Sequence, residues 1–395
     1  MKYLVGESVS SLVIEPEPIF NNLIIEFISS LSSHLFSIDS ISDYPDVVTF
    51  AFWCRRSHLL KLKKDSCTSL CRVGRGFAFH IAPSNVPINF AFSLVFSLLS
   101  GNVNVVRVSE KNFPQVLIIT EALNELLSQP KFFRLRKKII VVQYPRDEEY
   151  TSELSSRADV RIIWGGDKTI QAIRKLPSPT RCVDINFPDR YSISVISADA
   201  ILSSSRKELL NLYAGFYNDI FLFDQNACSS PHLILWTDNS LSLDRAQNIF
   251  WQGFAEFLIS KKISPNPLDA LERYTSFCRN SILSPTLQLT SSVNDIIYRV
   301  SYDQFPVHPE MFKGKLGYFI EAHDPNLSLF KSIVNQKYQT VTYYGVSPVI
   351  IKDIVTDYSL LGVDRIVPIG KALDIGLVWD GLDLVSVLSR VLNYS

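Results

Sequence analysis

The sequence has no excess of charge of either sign: lysine plus arginine and aspartate plus glutamate number 39 each in 395 residues. A balanced chain lacks the field that would make nucleic acid or an anionic membrane its main partner. Local basic runs such as RLRKK at 134–138 read as a solvated helix end or loop. No apolar run spans a bilayer. The longest, VPINFAFSLVFSLLSG at 86–101, is broken by proline and asparagine and falls short of the ~20 residues a span needs; it predicts a buried helix. The N-terminus, MKYLVGESVSS, lacks the basic and long apolar regions of a signal peptide. The six cysteines (54, 67, 71, 182, 228 and 278) include no Cys-x-x-Cys pair and no histidine at zinc-ligand spacing, so no metal site is expected. Reduced thiols predict a cytoplasmic protein. Cys67 and Cys71 stand about one helical turn apart and predict two core thiols on one helix face. Walker A, His-Glu-x-x-His and Gly-x-Ser-x-Gly motifs are absent. GRGFAF (74–79) lacks the third glycine of a dinucleotide fingerprint and runs into a strand. There is no internal repeat and no low-complexity linker.

What the chain does have is apolar mass. At 395 residues, 47% of them hydrophobic, it is too long for one ordinary core, and two domains are expected. From residue 75, β-rich runs alternate with helical patterns. Strands are predicted at 76–82, 102–108, 137–144, 159–164 and 191–197, the last closing the series. Helices fall near 88–100, 113–127, 147–156 and 167–175. This alternation implies right-handed βαβ units and a parallel sheet covered on both faces. IIVV and RIIW, apolar without alternation, fit strands buried on both sides. After residue 200 the pattern restarts. RKELLNLYAGFYNDIFLF (206–223) reads as helix and then strand, and 245–262 as a one-faced helix. A second α/β unit therefore extends to about 365.

Four segments could carry chemistry. HIAPSNVPINF (80–90) places polar, proline-bounded residues at a strand's C-terminal end, where open α/β sheets bind ligands; a tight turn before a helix is the plainer reading of the pattern alone. GNVNVVRVSEK (101–111) ends a strand with Arg107, Ser109 and Glu110, which a solvated loop and helix N-cap would also place there. IIWGGDKT (162–169) is a strand–Gly-Gly–helix junction, able to present backbone N–H groups to phosphate or simply to turn sharply. FDQNACSSPH (223–232) sets Cys228 among small polar residues between two apolar runs. Such a cysteine is either a small buried hydrophobe or a nucleophile whose thiolate is stabilised by oriented N–H groups. His232 reads as a nearby donor or as an ordinary strand or surface histidine.

Together these segments resemble the LuxC-type acyl-CoA reductases of the aldehyde dehydrogenase superfamily. The resemblance rests on HIAPSNVPINF, GNVNVVRVSEK, RIIWGGDKTI, FPDRYSISVIS, DQNACSSPH and DRIVPIGKALDIGLVWDG (364–381), in that order over residues 70–390. It implies that Cys228 is the nucleophile taking an acyl group as a thioester. Asn85 is then the oxyanion-hole amide, with the Cys228 N–H as second donor. It also implies that Pro83 and Ser84 line the cofactor, and that Arg107, Ser109 and Glu110 flank the adenine ribose. Gly165 and Gly166 form the turn near the pyrophosphate. Phe187 aligns near the glutamate that activates water in aldehyde-oxidising relatives, which favours reduction over hydrolysis. Asp189 is a possible substitute acid, or else a turn residue or partner of Arg190. Glu310 is the candidate for the superfamily's second glutamate.

The expectation is therefore an aldehyde dehydrogenase-like α/β protein with mostly parallel sheets and the active site between two domains. Residues 1–200 would bind the cofactor (the first 65 carrying no motif), 201–365 would hold the nucleophile, and 366–395 would return to the cofactor domain or an oligomer interface. The expected reaction is reduction of a fatty acyl thioester, on coenzyme A or on protein, to the aldehyde, with NADPH favoured over NADH. An acyl-activating ligase partner and a homo-oligomer follow from the same resemblance. The alternatives are an NAD-dependent oxidative aldehyde dehydrogenase and a non-catalytic acyl-handling subunit.

Overall fold

The computed structural model describes residues 1–66, 70–145, 148–238, 240–263, 266–293 and 295–393. The chain divides into two compact units, residues 1–189 with 376–395, and residues 190–375.

The first unit begins with β1 (Lys2–Val5), α1 (Asn22–Phe36), α2 (Pro45–Trp53), α3 (Arg56–Ser66) and β2 (Cys71–Gly74). The alternating series follows: β3 (Phe77–Ile81), α4 (Asn89–Leu99), β4 (Val103–Val108), α5 (Pro114–Ser128), β5 (Ile139–Gln143), α6 (Glu148–Arg157), β6 (Val160–Trp164), α7 (Asp167–Arg174) and β7 (Val183–Phe187). Six strands form one sheet in the order β1-β5-β4-β3-β6-β7. All pairs are parallel except the edge strand β1 on β5. Val160–Trp164 is buried throughout, as a strand covered on both faces must be. α4 is buried from Phe90 to Leu99 on every side, the fate of a helix with no polar face. The chain winds outward from β3 through β4 to β5, then returns to lay β6 and β7 on the other side of β3. Winding therefore reverses between β3 and β6.

The N-terminal residues that carry no motif supply the edge strand and α1, which packs on α2, α3, α4 and α5. Cys71 corrects one expectation. It is exposed on β2, not buried on a helix face, because α3 ends at Ser66 and Cys71 opens a strand of a two-stranded sheet, opposite Leu392 of the chain's last strand. Cys67 lies outside the described residues.

His80, on β3, is fully buried. Its Nδ1 pairs with Ser93 Oγ at 2.8 Å and its Nε2 with Asn104 Oδ1 at 3.0 Å, and Trp164 Nε1 donates to the same Ser93 Oγ at 3.1 Å. Burial pulls its pKa down to about 4, against the bond to Asn104, so the ring is neutral. Between that value and the ordinary 6.5 the unfolded chain binds a proton that the folded chain does not. His80 thus contributes stability at neutral pH that is lost as pH falls through this window, with a slope of about 1.4 kcal/mol per pH unit. Urea midpoints of the first unit at pH 6.5 and 4.5 should diverge less in His80→Gln than in wild type; equal divergence would discard this account.

The second unit contains β8 (Tyr191–Ser197), α8 (Ala198–Ser203), α9 (Arg206–Phe221), β9 (Pro231–Thr237), α10 (Ser240–Ser260), α11 (Pro267–Leu283), β10 (Leu287–Val293) and β11 (Ile297–Tyr302). It continues with β12 (Tyr318–His323), α12 (Ser328–Ile333), β13 (Tyr338–Tyr344), α13 (Pro348–Asp357) and β14 (Arg365–Pro368). Its sheet runs β10-β11-β12-β9-β8-β13-β14, parallel apart from β10 on β11.

Two expectations change here. YSISVIS does not close the first sheet: it is β8, paired with β9 and β13 inside the second. Strand pattern reveals a strand but not which sheet receives it. YNDIFLF is not a strand. α9 runs through Phe221, started by a capping box of Ser205 and Glu208, and Phe216 and Ile220 are buried one turn apart on it.

On β12, beside the central strand β9, Glu321 is 4% exposed. Its Oε1 accepts from the indoles of Trp236 (2.7 Å) and Trp251 (2.8 Å), and its Oε2 from Arg299 Nε at 2.6 Å. The Arg299 guanidinium lies 5.4 Å from the Trp251 ring centre.

The last residues belong to the first unit: β15 (Val378–Trp379), β16 (Leu382–Asp383), α14 (Leu384–Leu388) and β17 (Ser389–Leu392). Asp380 and Gly381, both at positive φ, make the two-residue turn between β15 and β16. β17 pairs with β2, and α14 packs on α4.

Candidate active site

In the first unit, Pro83, Ser84, Asn85, Arg107, Ser109, Glu110, Gly165 and Gly166 all lie at or just beyond the C-terminal ends of three adjacent strands, β4, β3 and β6. This edge includes the point between β3 and β6 where winding reverses, and in open α/β sheets such a point parts the loops into a crevice. Asn85 is exposed in the bend after β3. Lys111 Nζ donates to Ser84 O at 3.0 Å and ties the loop after β4 to the loop after β3. Arg107 donates to Tyr144 O at 3.0 Å and lies over the Tyr144 ring. The Ser109 carbonyl accepts from Gln143 Nε2 at 2.8 Å, and Glu110 is exposed. Gly165 N donates to Phe187 O at 3.1 Å. Gly166 is the N-cap of α7, and a Cβ there would meet nothing within 4 Å, which leaves space for a ligand beside the backbone. α7 opens with Asp167, so a carboxylate stands at the helix end that would otherwise draw a phosphate.

Cys228 sits in the second unit between α9 and β9, at the N-terminal edge of the sheet, and is half-buried. Its turn is braced. Asp224 and Gln225 both adopt left-handed backbone, at φ 51° and 61°, a conformation costing each roughly 1–2 kcal/mol. Gln225, 1% exposed, holds them there. Its N–H donates to Ile220 O at 2.7 Å, and its Nε2 donates to Pro231 O (2.9 Å) and Tyr318 O (3.1 Å). Its Oε1 accepts from Gly317 N at 3.0 Å. Ser192 Oγ, on β8, donates to the carbonyl of Cys228 itself at 2.7 Å. The thiol on this turn is partly accessible and its position is fixed through the backbone. Sequence reasoning missed Gln225 and Ser192. Nothing local distinguishes a glutamine that braces a turn from one that is solvated.

His232 is the extra residue where β8 and β9 shift register, between the pairs Ser192–Pro231 and Ile193–Leu233. It is 3% exposed and stacked on Tyr191, with ring centroids 5.6 Å apart. Burial, helped by the charge of Lys313, pulls its pKa to about 3 against a bond to the Gly314 backbone. A neutral ring offers no positive charge to a nearby thiolate, and His232 is a buried strand residue. Phe187 is buried and stacked on Trp164 at 3.8 Å. Asp189 is exposed, and Arg190 pairs with Asp364. Glu310 lies in a 3-10 segment, where its Oε1 accepts from Asn335 Nδ2 at 3.0 Å and lies 3.2 Å from His308 Nδ1. Among the described residues, no helix is long and apolar enough to cross a membrane.

The fold is that of the aldehyde dehydrogenases. Lactaldehyde dehydrogenase from Escherichia coli matches 93% of this chain and 86% of its own at a TM-score of 0.65 and 11% identity. An oxidoreductase from Marinobacter aquaeolei matches 97% and 87% at 0.64 and 11% identity. Within that fold class, residues 47–252 match the acyl-CoA reductase (LuxC) family, and the chain belongs to it. Two curated proteins are similar over part of the chain. A long-chain acyl-protein thioester reductase 2 of Photobacterium leiognathi is 23% identical over 171 residues, 43% of this chain and 34% of that protein. A long-chain acyl-protein thioester reductase of Vibrio harveyi is 26% identical over 166 residues, 41% and 32%. The match spans about a third of the length of these relatives.

Proposed function

We propose that this protein reduces a fatty acyl thioester, carried by coenzyme A or by a protein, to the free aldehyde through an acyl-Cys228 intermediate. The observation that carries the reading is the braced, half-buried Cys228 turn in a chain of the acyl-CoA reductase family. The Cys228 thiolate attacks the thioester carbonyl, and the tetrahedral oxyanion expels the original thiolate, which leaves with a proton. Asn85 and the Cys228 N–H are the proposed oxyanion donors. The open Gly166 backbone and the strand ends around it support a nicotinamide dinucleotide there, its pyrophosphate held clear of the Asp167 carboxylate; bound, it would supply the hydride that reduces the acyl carbon. The resulting thiohemiacetal releases aldehyde and restores the Cys228 thiolate. NADPH is the favoured cofactor, with Lys111 as a cation beside the ribose site; Glu110 leaves NADH as the competitor.

An oxidative, hydrolytic enzyme needs a carboxylate base for water, and the position aligned with that base holds Phe187, stacked on Trp164. This supports reduction. The test is intact mass after incubation with acyl-CoAs of increasing chain length, then with NADPH or NADH. One acyl adduct, removed when cofactor is added and with aldehyde released, is expected; steady acid production from aldehyde without coenzyme A would overturn the reading. Asn85→Ala should slow the acylation about 100-fold, read as adduct formed against time.

A further inference from the structure

Residues 364–374, DRIVPIGKALD, belong to a family-like segment that the chemistry above leaves without a role. They form β14 and a turn that is held from both sides. Gly370 N donates to Asp219 Oδ2 at 2.6 Å, and Ala372 N donates to Asp219 Oδ1 at 2.9 Å. The Arg365 guanidinium donates to the carbonyls of Ala372 (2.8 Å), Lys371 (3.2 Å) and Asp374 (2.8 Å). A carboxylate thus takes the turn's donors and a guanidinium takes its acceptors. The turn also lies directly on α9. Gly370 is at φ +95°, and a Cβ built there would come within 2.8 Å of Gly215 Cα, one helical turn before Asp219. Gly370 cannot carry a side chain without parting the two backbones, and a Cβ at Gly215, 3.1 Å from Gly370 Cα and Ile369 O, would press the turn outward by a few tenths of an ångström.

Asp219 faces the nucleophile turn as well. Its main-chain carbonyl accepts Ser230 Oγ at 2.6 Å, and Ser230 N donates to Ala227 O at 3.0 Å, next to Cys228. The following residue's carbonyl, Ile220 O, takes the N–H of Gln225. Asp219 is fully buried. Burial pushes its pKa up to about 7, the two amides and Arg365 draw it down, and Asp374 adds to the rise. A carboxylate under that penalty is a poor source of stability, so its position between two turns is the feature to explain.

We propose that Asp219 is a positioning residue: its side chain fixes the turn 369–374, its backbone fixes the turn of Cys228, and the placement of the first sets the reactivity of the second. The turn 369–374 is the last segment of the second unit before the chain leaves it at Gly376. This inference rests on Cys228 being the acyl acceptor.

The test is a double-mutant cycle on the full chain, read as the rate of adduct formation with excess acyl-CoA. Asp219→Asn gives one acceptor to two N–H donors and turns an amide N–H toward the second. Ser230→Ala cuts the tie to the nucleophile turn. Each should slow acylation by roughly 10-fold, with the acyl-CoA concentration for half-maximal rate unchanged. The double mutant should be within about twofold of the slower single, as expected for two links in one chain of contacts. Gly215→Ala crowds Gly370 without touching Asp219 and should slow acylation in the same direction, which keeps the test open should Asp219→Asn fail to fold. Wild-type rates in folded Asp219→Asn or in Gly215→Ala, or effects that simply multiply, would overturn the inference. Acylation surviving in Cys228→Ala would instead overturn the reading it rests on.

Discussion

Cys228→Ala is expected to lower acyl-thioester-dependent nicotinamide oxidation by roughly 1,000-fold or more and to abolish the acyl adduct. The step lost is covalent, so cofactor and substrate binding do not compensate. Cys228→Ser should fail as well, because a hydroxyl is far less ionised than a thiol at neutral pH. Other thiols provide the controls. Cys54 is fully buried, and burial pushes its pKa well up, which makes it inert. Cys71 is exposed on β2 and will react with general thiol reagents. Cys71→Ser should therefore lose a reagent-labelled site yet keep turnover. Peptide mapping of the adduct distinguishes the two, and an adduct on any cysteine other than Cys228 would sink the assignment.

The largest structural effect is expected at Glu321. Glu321→Ala strands Arg299 in the second sheet and removes the acceptor of two buried indole N–H groups at once. Removing one partner of a buried ion pair costs about 3–5 kcal/mol, and the orphaned indoles add to it. Glu321→Gln keeps an acceptor for the indoles and should cost less. Trp236 and Trp251 report the loss directly, as an early fluorescence transition in urea. A Glu321→Ala transition within about 1 kcal/mol of wild type would show that the network does not hold this core together.

Much of the molecule is legible before folding. Apolar runs without alternation locate β5 and β6, and the all-apolar stretch near 88–100 locates the buried helix α4, because burial on all sides leaves no polar positions in the pattern. The segments around Pro83, Arg107 and Gly165 are placed correctly at strand ends, since a strand followed by turn residues has few other outcomes. The sheet that takes YSISVIS is not legible, nor is the edge strand β1, nor the continuation of α9 through Phe221. Each depends on a partner distant in the sequence or on a packing face, as with β8 between β9 and β13.

The sequence alone determines the βαβ alternation, the two-unit size and the family-like segments, because these follow from local periodicity and turn chemistry. Tertiary structure alone decides how Cys228 is presented. Its turn holds two left-handed non-glycine residues only because Gln225 reaches Tyr318 and Gly317, Ser192 reaches the Cys228 carbonyl, and Asp219 anchors Ser230. These contacts cross 11 to 93 residues, and no local pattern records a hydrogen bond at that range. The same is true of His232, a strand residue like its neighbours in the sequence, which its stack on Tyr191 and its burial turn into a neutral wedge at a shift of register.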